Sequence, residues 1–246
     1  MAKSMRMPSS SSNPRDLRTR AIVLRRTDYG EADRILQLLT PLGKQSVIAR
    51  GVRREKSKLA GGIELFSVSE VLIHKGKSSD LGILTGAKLV EYFDAFVKDI
   101  ELLELGGAMM RSVNARAEQV ESPEFFTILE QALKCMQKHA GEKTRWMDVL
   151  RAWWGINLTR VAGEEANFQY DTDGEKLKPD LRYYWDEENA ALAKAQNGRI
   201  GVDHIKLLRI MEGMSVEVAL RVQNVDELID EVLYVARCVE RSTAIV

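Results

Sequence analysis

The feature that most constrains this chain is a change of hydrophobic rhythm near residue 90. Before it, apolar residues come in short runs broken by turn residues, and beyond it they recur at helical spacing. Residues 21–24 form a compact apolar run. Residues 34–40 alternate in part and end at Pro41 and Gly43, a turn with proline at its second position. Residues 45–52 read as the next strand. After the Gly61-Gly62 break, residues 65–74 read as a long strand whose alternation slips near Glu70, as a bulge or barrel bend requires. Gly76 then turns the chain into a fifth strand over 81–90. Five short strands so close together predict a small closed or partly open barrel.

From Glu91 onward, Tyr92, Phe96, Ile100 and Leu103 fall on one stripe of a helix. Ser122, Pro123 and Glu124 combine a cap, a proline at the first helical position and a first-turn acid, and the helix they open should stop at Gly141. Thr144 is placed to cap the next helix, which should end near Gly163. Asn224 with Glu227 three residues later reads as a capping-box start, with Leu228, Val232, Val235 and Val239 on one face. Trp146, Trp153 and Trp154 share a helix face, which favours core packing over an exposed patch. Were that face exposed, Arg145 and Arg151 would suit an acidic, apolar peptide. Residues 167–190 are polar and turn-rich, hold the aromatic cluster Tyr183, Tyr184 and Trp185, and read as an insertion with a small hairpin. The expected fold class is therefore α+β. A disordered lead-in (1–18) precedes a five-stranded barrel (19–90), and an α-helical domain (91–246) carries the small polar insertion.

The formal charge is zero, with 36 Lys plus Arg against 36 Asp plus Glu, but the charges are not evenly spread. Residues 1–90 carry 17 basic and 8 acidic side chains, a net of +9, and the remainder carries a net of −9. Such asymmetry points to a polyanion-binding module joined to an acidic one, or to two solvated surfaces that have drifted apart in charge. A 45% hydrophobic composition excludes collagen and wholesale disorder, and the zero total excludes a globally basic binder. Cys135 and Cys238 cannot supply a disulfide framework and are expected as packing residues in a reducing cytoplasm. No apolar run approaches the roughly 18 residues of a membrane span, and the start of the chain lacks the apolar core of a secretion signal. A soluble, cytoplasmic protein with no membrane partner is expected.

Signatures for phosphate-binding loops, dinucleotide folds, zinc proteases and serine hydrolases are all missing, so an enzyme is not expected. His74, His139 and His204 lie far apart in sequence and read as surface or satisfied histidines, so no metal site and no cofactor are expected. Asp171-Thr172-Asp173-Gly174 resembles the start of a calcium loop, but the later ligand positions are not acidic, and a polar turn is the better reading.

The strongest local feature is Arg50-Gly51-Val52-Arg53-Arg54-Glu55-Lys56-Ser57-Lys58, five cations in nine residues at the end of a predicted strand. Guanidinium forks take phosphate oxygens at two points, lysines add adaptable charge, and glycine lets the backbone approach a ligand. Arg25, Arg26 and Arg34 lie on neighbouring strands, and Lys75 with Lys77 flanks the Gly76 turn, so one barrel face and its rim could carry a continuous positive strip. The same cations could instead solvate edges and guard against strand-edge pairing. Tyr29 and Phe66 are the candidates for base stacking, with Phe66 read as core. Binding should therefore lean on phosphates, with little sequence preference.

The order Ala21-Ile22-Val23-Leu24, Tyr29-Gly30-Glu31-Ala32-Asp33-Arg34-Ile35, Leu39-Thr40-Pro41-Leu42-Gly43-Lys44 and Gly51-Val52-Arg53-Arg54-Glu55-Lys56-Ser57 resembles the amino-terminal region of the bacterial recombination mediator family RecO. The resemblance implies an OB-fold (oligonucleotide-binding) barrel followed by a helical domain in a non-catalytic, nucleoid-associated DNA repair protein. Such a protein binds single- and double-stranded DNA and anneals complementary strands. It works with RecR and single-stranded-DNA-binding protein, and indirectly with RecA, in loading recombinase during gap repair. Among the basic positions, Arg34, Lys44, Arg53, Arg54 and Lys56 fall in the matching segments. Arg50, Lys58, Lys75 and Lys77 join the DNA-binding set on charge and turn placement. Many members of that family carry a four-cysteine zinc module about where residues 167–190 fall. This sequence has no cysteine there, which implies a zinc-free variant whose aromatic cluster fills the space. An OB-fold adaptor for RNA is the alternative that the same barrel and basic loop would serve.

Overall fold

The computed structural model describes residues 16–76, 81–164 and 166–242, so the start of the expected lead-in and Lys77 lie outside the described residues. Five strands, β1 (Asp16–Tyr29), β2 (Asp33–Thr40), β3 (Gly43–Ala49), β4 (Ser67–His74) and β5 (Gly82–Tyr92), close in the order β1-β2-β3-β5-β4, with β4 returning to β1. A closed five-stranded barrel in this order is an OB-fold. Its interior follows the two-residue period of strands: Ala21 and Val23, Leu36 and Leu38, Val47 and Ala49, and Val71 and Ile73 form one buried cluster with Val52, Ile63 and Leu84.

Two local expectations are corrected here. The first strand begins at Asp16, inside the segment read as a lead-in. The register of β1 against β4 is unbroken from Asp16↔His74 to Ile22↔Val68, so Glu70 marks no bulge on that side. The alternation slips because Ser67 and Ser69 are buried beside Val68, and the Ser67 hydroxyl donates to the Glu64 carbonyl at 2.7 Å. The irregular backbone falls at Phe66, where φ is +54°, and the strand starts only after it.

Residues 39–44 and the chain from Tyr92 onward form a second compact unit. The stripe from Tyr92 to Leu103 is not one helix. Tyr92 ends β5, Phe96 is buried in a 3-10 turn (Asp94–Val97), and α1 (Ile100–Arg116) begins at Ile100, which is 69% exposed. Asp99 sets the boundary, because its carboxylate accepts the Glu101 and Leu102 amides at 2.9 and 3.3 Å and so caps α1.

Helix α2 (Glu124–His139) follows Ser122, whose hydroxyl accepts the Glu124 amide, and Gly141 at φ +81° reverses the chain after it. Helix α3 (Trp146–Val161) is not capped by Thr144. Its first turn is held by Arg145, whose guanidinium bridges Asp148 at 3.0 Å and Asp230. Trp146, Trp153 and Trp154 are all buried and α3 is covered on nearly every side, which makes it the centre of the unit. The Trp153 indole donates to the Met214 carbonyl at 2.9 Å, and the buried Asn157 amide donates to Trp153 and Met211 carbonyls at 2.9 and 2.8 Å. Helices α4 (Val202–Gly213), α5 (Val216–Ala219) and α6 (Val225–Ser242) complete the unit. Asn224 takes φ +59° and offers Glu227 only its backbone carbonyl, so a left-handed turn replaces the expected capping box.

Between α3 and α4 lies a three-stranded sheet of β6 (Asn167–Asp171), β7 (Tyr183–Asp186) and β8 (Ala191–Lys194), in the order β6-β8-β7. A hairpin is present as β7–β8, but its second strand lies past residue 190, beyond the expected insertion, and β6 adds a strand parallel to β8. Phe168, Tyr183 and Trp185 are buried, with the Phe168 and Trp185 rings 6.0 Å apart. A zinc ion does not fit this segment. Residues 167–190 contain neither cysteine nor histidine, and the Lys194 ammonium already lies 3.1–3.2 Å from the carboxylates of Asp171, Asp173 and Glu175.

Asp171 also accepts the Asp173 and Glu175 amides at 3.0 and 2.9 Å, so the calcium-like run is a polar turn closed by an internal cation. Burial pushes the Asp171 carboxyl up, but those amides and Lys194 outweigh it and hold it below the usual range. A carboxyl depressed in the folded state stabilises the fold above its unfolded value of roughly 4, and that contribution disappears as pH falls through the folded value. Asp171→Asn is expected to lower Tm by roughly a few degrees at pH 7, with the gap from the parent narrowing as the pH is taken below about 4 in circular-dichroism melts.

Candidate nucleic-acid interface

The cationic run follows β3 as a series of turns tied to the barrel at fixed points. Val52 is buried in the core cluster. The Gly51 amide donates to the Asp33 carboxylate at 2.7 Å, and the Arg53 amide donates to the Ala32 carbonyl at 2.9 Å. Within the run, the Arg54 amide reaches the Gly51 carbonyl at 3.1 Å and the Ser57 amide reaches that of Arg54 at 3.0 Å. Gly51 sits at φ +63°, a conformation glycine adopts without a side-chain clash. Because these ties use backbone groups and one apolar side chain, they leave the charged side chains pointing into solvent. Arg50, Arg54, Lys56 and Lys58 are exposed, and their charged side chains have no ion-pair or hydrogen-bond partner among the described residues.

Arg53 and Arg34 meet on Asp28 at the end of β1. The Arg34 Nε donates to Asp28 Oδ1 at 2.8 Å, Arg53 Nε lies 3.6 Å from Oδ2, and Arg53 also donates to the Gly30 carbonyl at 3.4 Å. Tyr29, at the end of β1, is more than half exposed, whereas Phe66 is buried. Arg26 is taken up by Glu64 at 2.7 Å.

Two members of the expected set are placed elsewhere. Lys44 has a side chain only 12% exposed, donates to the Asn114 carbonyl at 3.3 Å and pairs with Glu118, so its charge is spent within the second unit. Its sequence position beside the barrel turn gave no hint of that acid, 74 residues away. Lys75 is exposed beside His74, whose ring pairs with Asp16 at the start of β1, while the Arg34 and Arg53 pair sits at the far end of that strand. The β1–β2 and β4–β5 loops are the two rims of the binding face in this barrel class. The strip is thus a cluster on one rim and Lys75 on the other, and no contact among the described residues joins them.

In the helical unit, Arg145 and Arg151 are occupied by Asp148, Asp230 and Glu101, and the tryptophan face is interior, which removes the peptide-docking patch. Sequence reasoning missed one grouping altogether, Cys135, His139 and Glu217. Its signal was the four-residue spacing of cysteine and histidine on a helix. Among the described residues no helix is long and apolar enough to cross a membrane.

The architecture is that of an OB-fold protein with an appended helical unit. Residues 15–93 match the family described as recombination protein O N terminal. The chain is 29% identical over 228 residues to the DNA repair protein RecO of Dehalococcoides mccartyi strain CBDB1, covering 89% of this chain and 87% of that relative. It is 37% identical over 124 residues to the DNA repair protein RecO of Roseiflexus sp. strain RS-1, covering 50% and 43%. Over most of its length the chain is thus similar to proteins named DNA repair protein RecO, and its barrel matches the amino-terminal model of that family.

The Arg34 hydrogen bond, with Arg53 and Arg26 nearby, holds the Asp28 carboxyl below its ordinary range against the opposing pull of desolvation. Asp28 is therefore anionic at neutral pH and competes with any phosphate for Arg34 and Arg53. Asp28→Asn is expected to tighten oligonucleotide binding by about 2–10-fold at fixed salt, read by fluorescence anisotropy. Weaker binding would show that Asp28 positions the arginines more than it competes for them.

Proposed function

We propose that this chain is a non-catalytic mediator of recombinational DNA repair. It binds single- and double-stranded DNA, anneals complementary strands and helps load recombinase onto protein-coated single strands. The observation that carries the reading is the run 50–58, whose backbone is tied to the β1–β2 turn while four of its cations remain unpaired among the described residues. Phosphates can be engaged there without first breaking an internal ion pair.

The mechanism is charge neutralisation. Two polyanionic strands that repel each other in solution are both attracted to one positive rim, which lowers the cost of bringing them together, and annealing follows from base pairing between the strands. A single exposed aromatic, Tyr29, against four unpaired cations supports phosphate-led affinity without strong sequence preference. The net charge of −9 beyond residue 90 supports a division of labour, in which the helical unit faces protein partners and the barrel faces DNA. RecR and single-stranded-DNA-binding protein are the partners in this proposal, with RecA engaged indirectly, all on the strength of the similarity to RecO proteins.

Contact with about four to six phosphates gives log affinity against log salt a slope near −3 to −4 for single strands. Replacing Arg53, Arg54 and Lys56 together with alanine is expected to weaken binding to unrelated sequences about equally, to flatten the slope by about 2, and to slow annealing of complementary oligonucleotides. A flat salt response in the parent protein contradicts the proposal. Tighter binding of a matched RNA oligonucleotide would favour an RNA-binding role.

A further inference from the structure

Away from the barrel, the end of α2 brings together a sulfur, a nitrogen and an oxygen donor. Cys135 and His139 are four residues apart on one helix face, and Glu217 approaches them from α5. One donor atom from each lies within 4.8 Å of the others. Cys135 is 1% exposed, and among the described residues it forms no disulfide.

The two ring nitrogens of His139 face different carboxylates. Nε2 lies 3.3 Å from Glu217, while Nδ1 lies 3.0 Å from Glu142, which the left-handed Gly141 turn folds back against the ring. Nδ1 is buried and makes no well-directed hydrogen bond. The Trp146 ring, with its centroid 6.0 Å from that of the imidazole, covers one side of the histidine.

We propose that Cys135, His139 and Glu217 form a zinc site that ties α2 to α5. A thiolate, an imidazole and a carboxylate are a donor set suited to zinc, with metal–ligand lengths of about 2.0–2.3 Å. Side-chain rotations that draw the three donors together by about 1 Å reach the spacing a tetrahedral ion needs. The half-exposed edge at Glu217 leaves the fourth position to water.

Glu142 then plays the supporting part. Its carboxylate accepts a hydrogen bond from Nδ1–H, which fixes the tautomer and leaves the Nε2 lone pair for the metal, the usual carboxylate–histidine–metal arrangement. The Lys138 ammonium lies on Glu217. On binding, the ion displaces Lys138 into solvent, and the thiol proton leaves to buffer as the sulfur–metal bond forms. This ligand set is separate from the β6–β8 segment, where zinc does not fit.

The test is a cobalt(II) titration of the full-length protein at pH 7.5, read by absorption. The expected result is one equivalent bound, with thiolate-to-cobalt charge-transfer absorption and the intense visible bands of a tetrahedral ion, both displaced by zinc. Cys135→Ser should abolish the charge-transfer band. Glu217→Gln, at a less buried position that leaves the fold intact by circular dichroism, should weaken binding at least about tenfold. Glu142→Gln should weaken it by about 10–100-fold, since it removes the carboxylate behind the histidine. Cys238→Ser and His204→Ala should leave the spectrum unchanged. Absence of the bands in the parent protein, or bands that survive both Cys135→Ser and Glu217→Gln, would overturn the proposal.

Discussion

The cationic run of this barrel is held by groups that carry no positive side chain. Asp33 receives the Gly51 amide, Ala32 receives the Arg53 amide, and Val52 sits in the core. That arrangement matters because five cations in nine residues repel one another, and a run held only by its own ion pairs would spend its charges on staying folded. Here the ordering cost is met by backbone hydrogen bonds and by burial of one apolar side chain, so most of the charge stays available. The rest of the functional account depends on this separation of anchoring from charge.

The same principle sorts the other cations of the barrel. Arg26, Arg34 and Lys44 each face a carboxylate of their own chain; where such a pair is partly exposed it adds little to stability but competes directly with a ligand. Lys44 is mostly buried and effectively withdrawn. Arg34 and Arg53 share one exposed partner, Asp28, which a phosphate can displace. On the proposed reading, affinity is set as much by the acids beside the cations as by the cation count, so the +9 excess of the first 90 residues overstates the charge a bound strand would meet.

Much of the architecture was legible because it is written in local periodicity. Leu36 with Leu38 and Val71 with Ile73 announce the barrel strands, Gly141 and Gly163 take left-handed backbone just past helix ends, and the buried tryptophans of α3 follow from their spacing. Errors arose where tertiary context decided. The spacing from Tyr92 to Leu103 imitates a helix, yet it spans the end of a strand, a 3-10 turn and a first helical turn whose boundary is chosen by Asp99. Asn224 carries a capping residue's identity but a left-handed backbone. The pairing of Lys44 with Glu118 and the meeting of Glu217 with Cys135 and His139 join residues more than 70 positions apart, where one sequence holds no distance information.

The account rests on nucleic acid lying along residues 50–58, and lysine footprinting tests that placement most directly. The protein is acetylated under limiting reagent with and without a single-stranded oligonucleotide, and modification is read residue by residue by mass spectrometry. The account predicts that oligonucleotide protects Lys56 and Lys58 while leaving Lys143 and Lys206 in the helical unit unchanged, all four being exposed in the free protein. Protection of the helical-unit lysines with Lys56 and Lys58 still fully reactive would contradict it.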